Sequence, residues 1–427
     1  MIGFILADIR RHKGGTIAIL LLVAFAVALA VSVTLQERAL RLGSARAANA
    51  FDLVVGAAGS ETQLVLSSVF LQAAPLPLME GAVLQRLAAD PRVAFAAPIG
   101  FGDSFAGYPL VGTSTALVAH LSPQLQEGTG FRREGDAVIG SAVDLSMGAV
   151  IKPMHGTAEE GGHTHTGLAY AVVGRMKPTG TPWDRAILVP IQAVWELHGM
   201  GHEEAGHDEA SQEEAGHEEA GHAGAGHAGG EHEHSADAAA PIDEDWSEHS
   251  AGVPAVLVKP KTIADAYKLR QEYRSGTTLA VFPGEVLTRL YATLGDAKVL
   301  LMAVAIGTQL LIAAALLLVT IMHVGQRRRQ IGALRAFGAS RTVVFRIVWL
   351  QLFAISLAGI LLGFGLGYLV SEVIGGIVSR QNGFTMPVAF DRGDLVFAAS
   401  VSAFAAVLAI VPAVLAYRQS PAAALKG

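Results

Sequence analysis

The sequence predicts a membrane protein: four transmembrane α-helices with an inserted α+β extracytoplasmic domain. Three observations carry this. Four apolar runs, 17–35, 299–324, 347–370 and 395–417, hold no Asp, Glu, Lys or Arg, and each is close to or above the roughly 20 residues that a helix needs to cross a bilayer. Hydrophobic residues make up 52% of the 427 and charged residues only 16%, against about 25% charged in soluble domains. The segment 36–298 between the first two runs is too polar to span and long enough to fold around its own core.

The first run follows Arg10, Arg11 and Lys13, as a secretory leader would. Its length exceeds the roughly 7–15 apolar residues of a leader core, so it is read as an uncleaved anchor. Orientation follows the positive-inside rule. Arg10, Arg11 and Lys13 precede span one; Arg327, Arg328, Arg329, Arg335, Arg341 and Arg346 lie between spans two and three; Arg418 and Lys426 follow span four. In a four-span chain these regions share one side, the cytoplasm. The expected order is a cytoplasmic segment 1–16, TM1 17–35, the outer domain 36–298, TM2 299–324, a cytoplasmic loop 325–346, TM3 347–370, an outer loop 371–394, TM4 395–417 and a cytoplasmic tail 418–427.

In the outer domain, 51–55, 138–139, 186–189 and 255–259 read as strands. Residues 84–90, stopped by Pro91, and 262–273, capped by Thr262, read as helices. Ala106-Gly107-Tyr108-Pro109 reads as a turn, and so does Pro283-Gly284, with a helix at 285–294 after it.

Between 201 and 245 the composition changes. A five-residue repeat (GHEEA, GHDEA, SQEEA, GHEEA, GHAGA) places histidine at His202, His207, His217, His222, His227, His232 and His234, with carboxylates between them. Its apolar residues are almost only Ala, too little to offset the entropy of ordering, so a disordered loop is expected. Imidazole with carboxylate suits Zn²⁺, and also Ni²⁺ or Cu²⁺. His198, just before the tract, joins this candidate metal set. Two readings stay open, metal handling and a slipped-repeat linker. His155, His163 and His165 form a smaller cluster, more simply read as incidental loop histidines. The spacing from His198 to His202 lacks the glutamate of a zinc protease motif.

Much follows by exclusion. The chain has no cysteine, so disulfides, thiolate metal sites and cysteine nucleophiles are ruled out. The net charge of −6 owes much to the tract, and no nucleic-acid partner is expected. Gly56-Ala57-Ala58-Gly59-Ser60 lacks the lysine of a phosphate loop, so any ATPase must be another subunit. No catalytic constellation stands out, and the chain is not expected to be an enzyme. The spans hold no ionisable side chain near their midpoint, which disfavours a channel or secondary carrier.

The most specific segment is Arg327-Arg328-Arg329-Gln330-Ile331-Gly332-Ala333-Leu334-Arg335-Ala336-Phe337-Gly338-Ala339-Ser340. It reads as a short basic amphipathic helix stopped at Gly338, with Ser340 capping the next helix. Here the chain resembles the MacB/FtsX/LolC-type permeases of ABC transport systems. The resemblance takes in an N-terminal interfacial helix, the order of one span, a large outer domain and three spans, and a tail with Pro421-Ala422-Ala423-Ala424-Leu425. Gln330 replaces the acid usual before the Ile-Gly pair.

The resemblance implies a bacterial inner-membrane permease, multi-pass, with its large domain in the periplasm. It implies a cytoplasmic ABC ATPase that binds ATP and docks on Arg327, Arg328, Arg329, Gln330, Ile331, Gly332, Leu334, Arg335, Phe337 and Gly338. It also implies a second permease copy or homologous subunit, contact with a periplasmic partner and with membrane lipid, and mechanotransmission from ATPase to outer domain. Gly359, Gly363 and Gly367 are expected to pack a span against another helix, in this subunit or its partner. The cargo reading stays divided between a system tied to zinc or another transition metal, export or extraction of peptide, lipid or lipoprotein, and, outside transport, a metal-sensing receptor.

Overall fold

The computed structural model describes residues 13–72, 74–155, 163–164, 167–200, 237–293, and 332–418 apart from 334, with isolated positions between 306 and 325. They fall into two compact units. One is Met1–Gly43 with Tyr291–Gln381 and Thr385–Gly427; the other is Ser44–Leu290 with Asn382–Phe384.

In chain order the elements are α1 (Lys13–Ala48), β1 (Leu53–Ala57), α2 (Glu61–Ser68), α3 (Gly81–Ala89), β2 (Val93–Phe105), β3 (Tyr108–Thr113) and α4 (Thr115–Leu121). Then come β4 (Glu127–Gly128), β5 (Asp136–Ile139), β6 (Val150–Ile151), β7 (Met154–His155), β8 (His163–Thr164), β9 (Tyr170–Arg175), β10 (Ile187–Pro190) and α5 (Ile191–Leu197). Beyond the tract lie β11 (Ala255–Pro260), α6 (Ile263–Glu272), β12 (Thr278–Val281), α7 (Pro283–Thr293), α8 (Arg341–Asn382), α9 (Arg392–Leu408) and α10 (Ile410–Arg418).

The second unit is a mixed sheet with helices, as the α+β expectation required. Its strand order is β12-β1-β11-β2-β3-β10-β5-β9-β4. The central strands are buried on both faces. Leu53 and Val55 of β1 pack with Val83, Leu84 and Leu87 of α3, while Val54 between them packs with Leu64 and Val65 of α2. A strand covered on both sides has no reason to alternate apolar with polar residues, which is why period-2 patterning is faint in this domain.

The thirteen-residue strand β2 joins two halves of the sheet. Its first half pairs with β11, its second with β3, and the register slips between Gly100 and Asp103. Such irregularities bend a strand and re-aim the side chains that follow. The β2–β3 turn holds Ala106 and Gly107 at φ 51° and 78°, the left-handed pair that a tight hairpin turn needs. Pro283 opens α7 rather than ending a turn, a position where its missing N–H costs nothing.

One sequence expectation is corrected here. The disordered loop was expected to run to 245, but 237–245 is pinned. The Glu134 and Gly135 amides donate to Ala240 and Ala238 carbonyls at 3.0 and 3.1 Å. Glu244 accepts from the Thr115 amide and hydroxyl, both at 2.5 Å, at the start of α4. Ile242 packs on the main core. Apolar anchors and a capping carboxylate outweigh the acidic composition. Residues 201–236 lie outside the described residues.

Among the described residues, three helices are long and apolar enough to cross a membrane: Lys13–Ala48, Arg341–Gln381 and Arg392–Arg418. The run expected as the second span, 299–324, falls mostly outside the described residues. α8 is 42 residues long and extends beyond the apolar run 347–370 at both ends.

Candidate functional site

The segment expected to meet an ATPase is described only in part: Gly332, Arg335, Phe337 and Gly338 are described, whereas Arg327, Arg328, Arg329, Gln330, Ile331 and Leu334 lie outside the described residues. The local chemistry explains how Phe337 is presented. Its amide still donates to the Ala333 carbonyl at 3.0 Å. Gly338 then turns left-handed at φ 91°, a conformation that carries a penalty for any residue with a Cβ. Ser340 begins α8, accepting from the Val343 amide at 3.4 Å. The helix therefore stops abruptly, and the Phe337 side chain is left 92% exposed. A large exposed apolar ring beside basic residues is an anchor suited to a pocket on another protein.

The glycines of α8 are explained by close approach. A Cβ on Gly359 would lie 2.8 Å from Val23 Cβ, one on Gly363 2.6 Å from the Ala24 carbonyl oxygen, and one on Gly367 2.9 Å from the Ala28 carbonyl oxygen. All three face α1 of the same subunit. Val23, Val27, Val31 and Leu35 of α1 are buried there with Ile360. At the end of this seam the Ser371 hydroxyl donates to the Gly367 carbonyl at 2.8 Å, and the Gln36 amide donates to the Ser371 carbonyl at 2.8 Å.

The third feature is where the histidine tract leaves and rejoins the outer domain. α5 lies on β2 and β3 because two facing residues lack side chains: Gly100 and Gly112 are register partners. A Cβ on either would meet Ile191 or Val194 of α5 at 2.6 Å. The helix ends at His198, whose Nδ1 donates to the Val194 carbonyl at 2.9 Å. Its Nε2 lies 3.8 Å from Oδ1 of Asp103. Nearby, burial pushes the Glu134 carboxyl up to about 7, with the charge and hydrogen bond of Glu196 and the charge of Asp237 adding to it. The buried Tyr170 phenol is raised by burial and then by Asp103, Glu134 and Glu196. Among the described residues, no group of three His, Asp or Glu side chains is placed to hold a metal ion. The tract histidines His202, His207, His217, His222, His227, His232 and His234 lie outside the described residues.

Residues 302–422 match the FtsX-like permease C-terminal family. That match takes in the last three tenths or so of the chain and is a likeness to the family over that segment. Two solved structures are similar to its outer portion. The periplasmic region of MacB from Actinobacillus actinomycetemcomitans matches at 8% identity and a TM-score of 0.30, covering 57% of this chain and 95% of that one. The extracellular domain of a noncanonic ABC-type transporter, YknZ, from Gram-positive bacteria matches at 10% identity and a TM-score of 0.28, covering 54% of this chain and 98% of that one. TM-scores this low carry no function from either protein to this chain. Among curated proteins none matches it.

The sequence pointed to Phe337, Gly338 and the α8 glycines of this chain. It did not point to Asp103. The only local signal was the Gly100-Phe101-Gly102 run before it, which marks an irregular strand but not which residue lies opposite.

Proposed function

We propose that this chain is an FtsX-like permease that couples ATP hydrolysis by a separate cytoplasmic ABC ATPase to motion of its outer domain. The observation that carries the reading is the exposed Phe337 at the abrupt end of a basic helix, inside the segment that matches the permease family. In the sequence, Arg327, Arg328 and Arg329 precede that anchor by eight to ten residues and supply positive charge to the same segment. The permease works as a dimer with a second copy or a homologous subunit in a bacterial inner membrane. Its outer domain faces the periplasm and a partner there. α1 continues to Ala48, well beyond the apolar run 17–35, and offers a stiff lever for mechanotransmission.

The histidine tract ties this system to zinc or another transition metal. Its imidazoles and carboxylates are ligands of the right type, and both flanks are anchored. Affinity falls below about pH 6, as imidazole protonates. The permease itself hydrolyses nothing.

Two measurements test the reading. Full-length protein purified from native membranes in mild detergent is expected to bring down an ABC ATPase and to show MgATP hydrolysis; a preparation with neither contradicts the coupling role. Zinc titration of the full-length chain, beside a version lacking 201–236, is expected to lose several sites on deletion. Equal binding by both removes the tract from metal handling and leaves peptide, lipid or lipoprotein export.

A further inference from the structure

We propose that Glu134 and Glu196 form a proton-operated clasp in the outer domain, which holds the leg 237–241 in place while Glu134 carries a proton and releases it when that proton is lost. The clasp needs neither an ATPase nor a metal, so it stands or falls apart from the proposed function.

The leg is held by a short stretch of backbone pairing. The Glu134 and Gly135 amides donate to the Ala240 and Ala238 carbonyls, and Arg133 forms an antiparallel bridge with Pro241. A Cβ on Gly135 would lie 2.7 Å from the Ala238 Cβ, so the leg sits directly on this backbone. Asp136 shapes the stretch beneath it, accepting from the Arg132 and Arg133 amides at 2.7 and 2.9 Å. Two short strands paired alone are marginally stable in water, so the side chains around them decide whether the pairing stays closed. Beyond the leg, Ile242 on the main core and Glu244 on Thr115 keep the chain anchored in either state.

The side chains around the pairing are acids. Glu134 is 6% exposed, and its carboxyl is in hydrogen-bond contact with that of Glu196, in the last turn of α5. Ionised carboxylates only accept hydrogen bonds, so this contact requires a proton between the two. Burial favours keeping it, and the charges of Glu196 and then Asp237 add to that. Asp237 opens the leg, its Oδ1 accepting from the Ala239 amide at 2.9 Å. No lysine or arginine among the described residues offsets Glu134. With its proton, Glu134 ties α5 to the backbone under the leg. Without it, Glu134, Glu196 and Asp237 repel one another, and the buried charge has to reach water. Opening the short pairing is the least disruptive route.

Tyr170 of β9 gives a second, independent sign. It is wholly buried, and its hydroxyl has no hydrogen-bond partner among the described residues. It faces the charges of Asp103, Glu134 and Glu196, and Asp103 in turn lies 3.8 Å from Nε2 of His198. An unpartnered buried hydroxyl disfavours the closed state, and water admitted by opening relieves it.

The test is hydrogen exchange of the full-length protein in detergent with EDTA, at pH 6 and pH 8, corrected for the intrinsic pH dependence of exchange. Glu134 titrates at about 7 in the closed state and near its ordinary value in the open one, so the open-to-closed ratio rises about tenfold over this interval. The clasp predicts that rise at the amides of Glu134, Gly135 and Ala240, and none at Val172 and Met176, which are bonded within the sheet region. Glu134→Gln, which cannot ionise, abolishes the rise, and Glu196→Gln, which removes a like charge, shrinks it. Equal protection at the two pH values, or an undiminished rise in Glu134→Gln or in Glu196→Gln, overturns the clasp. A rise shared equally by Val172 and Met176 overturns it too, because the whole domain then loosens rather than the leg.

Discussion

Arg38 and Asp394 form a two-pronged ion pair, with Nη1 2.8 Å from Oδ2 and Nη2 3.1 Å from Oδ1. Both side chains are largely buried, at 16% and 9% exposure. Arg38 also donates to the Ala389 carbonyl. Asp394 closes a capping box with Asp391 at the start of α9. One arginine on α1 therefore fixes the entry of a second apolar helix. The pair is far more constrained than a surface ion pair, which contributes at most about 1 kcal/mol.

Removing one partner strands the other. Asp394→Asn and Arg38→Ala are each expected to destabilise the membrane unit by about 3–5 kcal/mol, the usual cost of orphaning one member of a buried pair. Arg38→Lys is expected to restore little, because an ammonium cannot reproduce the planar fork. Thermal unfolding in detergent checks this; a lysine variant as stable as the parent contradicts the two-pronged account.

Gly363→Ala places a methyl 2.6 Å from the Ala24 carbonyl oxygen, whereas a Cβ on Gly365 meets nothing within 4 Å. The first change is expected to cost about 1–3 kcal/mol by overpacking. The second is expected to be neutral or slightly stabilising, since alanine favours a helix. Equal effects at the two positions would mean that α1 does not pack on this seam.

Glu134 sets a pH dependence. Its carboxyl titrates near 7 in the folded domain, against an ordinary value of 4.5, because burial disfavours the charged form. The folded state then holds a proton that the unfolded state has lost. Its contribution to stability is fully present below about pH 4.5 and is lost as pH rises through about 7. The outer domain is expected to melt at lower temperature at pH 8 than at pH 5.5, and Glu134→Gln is expected to flatten that difference. Melting curves of the full-length protein at the two pH values decide the matter.

Helix capping gives a smaller effect. Thr262 accepts from the Asp265 amide at 3.1 Å. Thr262→Ala is expected to cost about 1 kcal/mol, and Thr262→Ser very little. Chemical denaturation resolves both.

The legible parts of the fold were those where local chemistry decides. The apolar runs 17–35, 347–370 and 395–417, the Thr262 cap, the Gly338 stop and the turn at Ala106-Gly107 each rest on a few adjacent residues. β2 was hidden because Pro98, Gly100 and Gly102 sit in its interior, where they argue against a strand, and its register irregularity accommodates part of that run. The pairing of Asp103 with His198 was hidden for another reason. It depends on α5 settling onto two glycines of a sheet whose strands come from distant parts of the chain. The pinned stretch 237–245 was masked by its acidic composition, although Ile242 and Trp246 marked it as different from the repeat before it.

The central proposal is that the chain is driven by an ATPase docked at the helix end that Phe337 marks. The most direct measurement is MgATP hydrolysis and subunit content of the complex purified through the wild-type chain and through Phe337→Asp. Phe337 is exposed and packs little against its own chain, so its replacement should leave the melting temperature unchanged. The account predicts that Phe337→Asp loses the ATPase subunit and its hydrolysis together. A Phe337→Asp complex with full subunit content and full hydrolysis would contradict it.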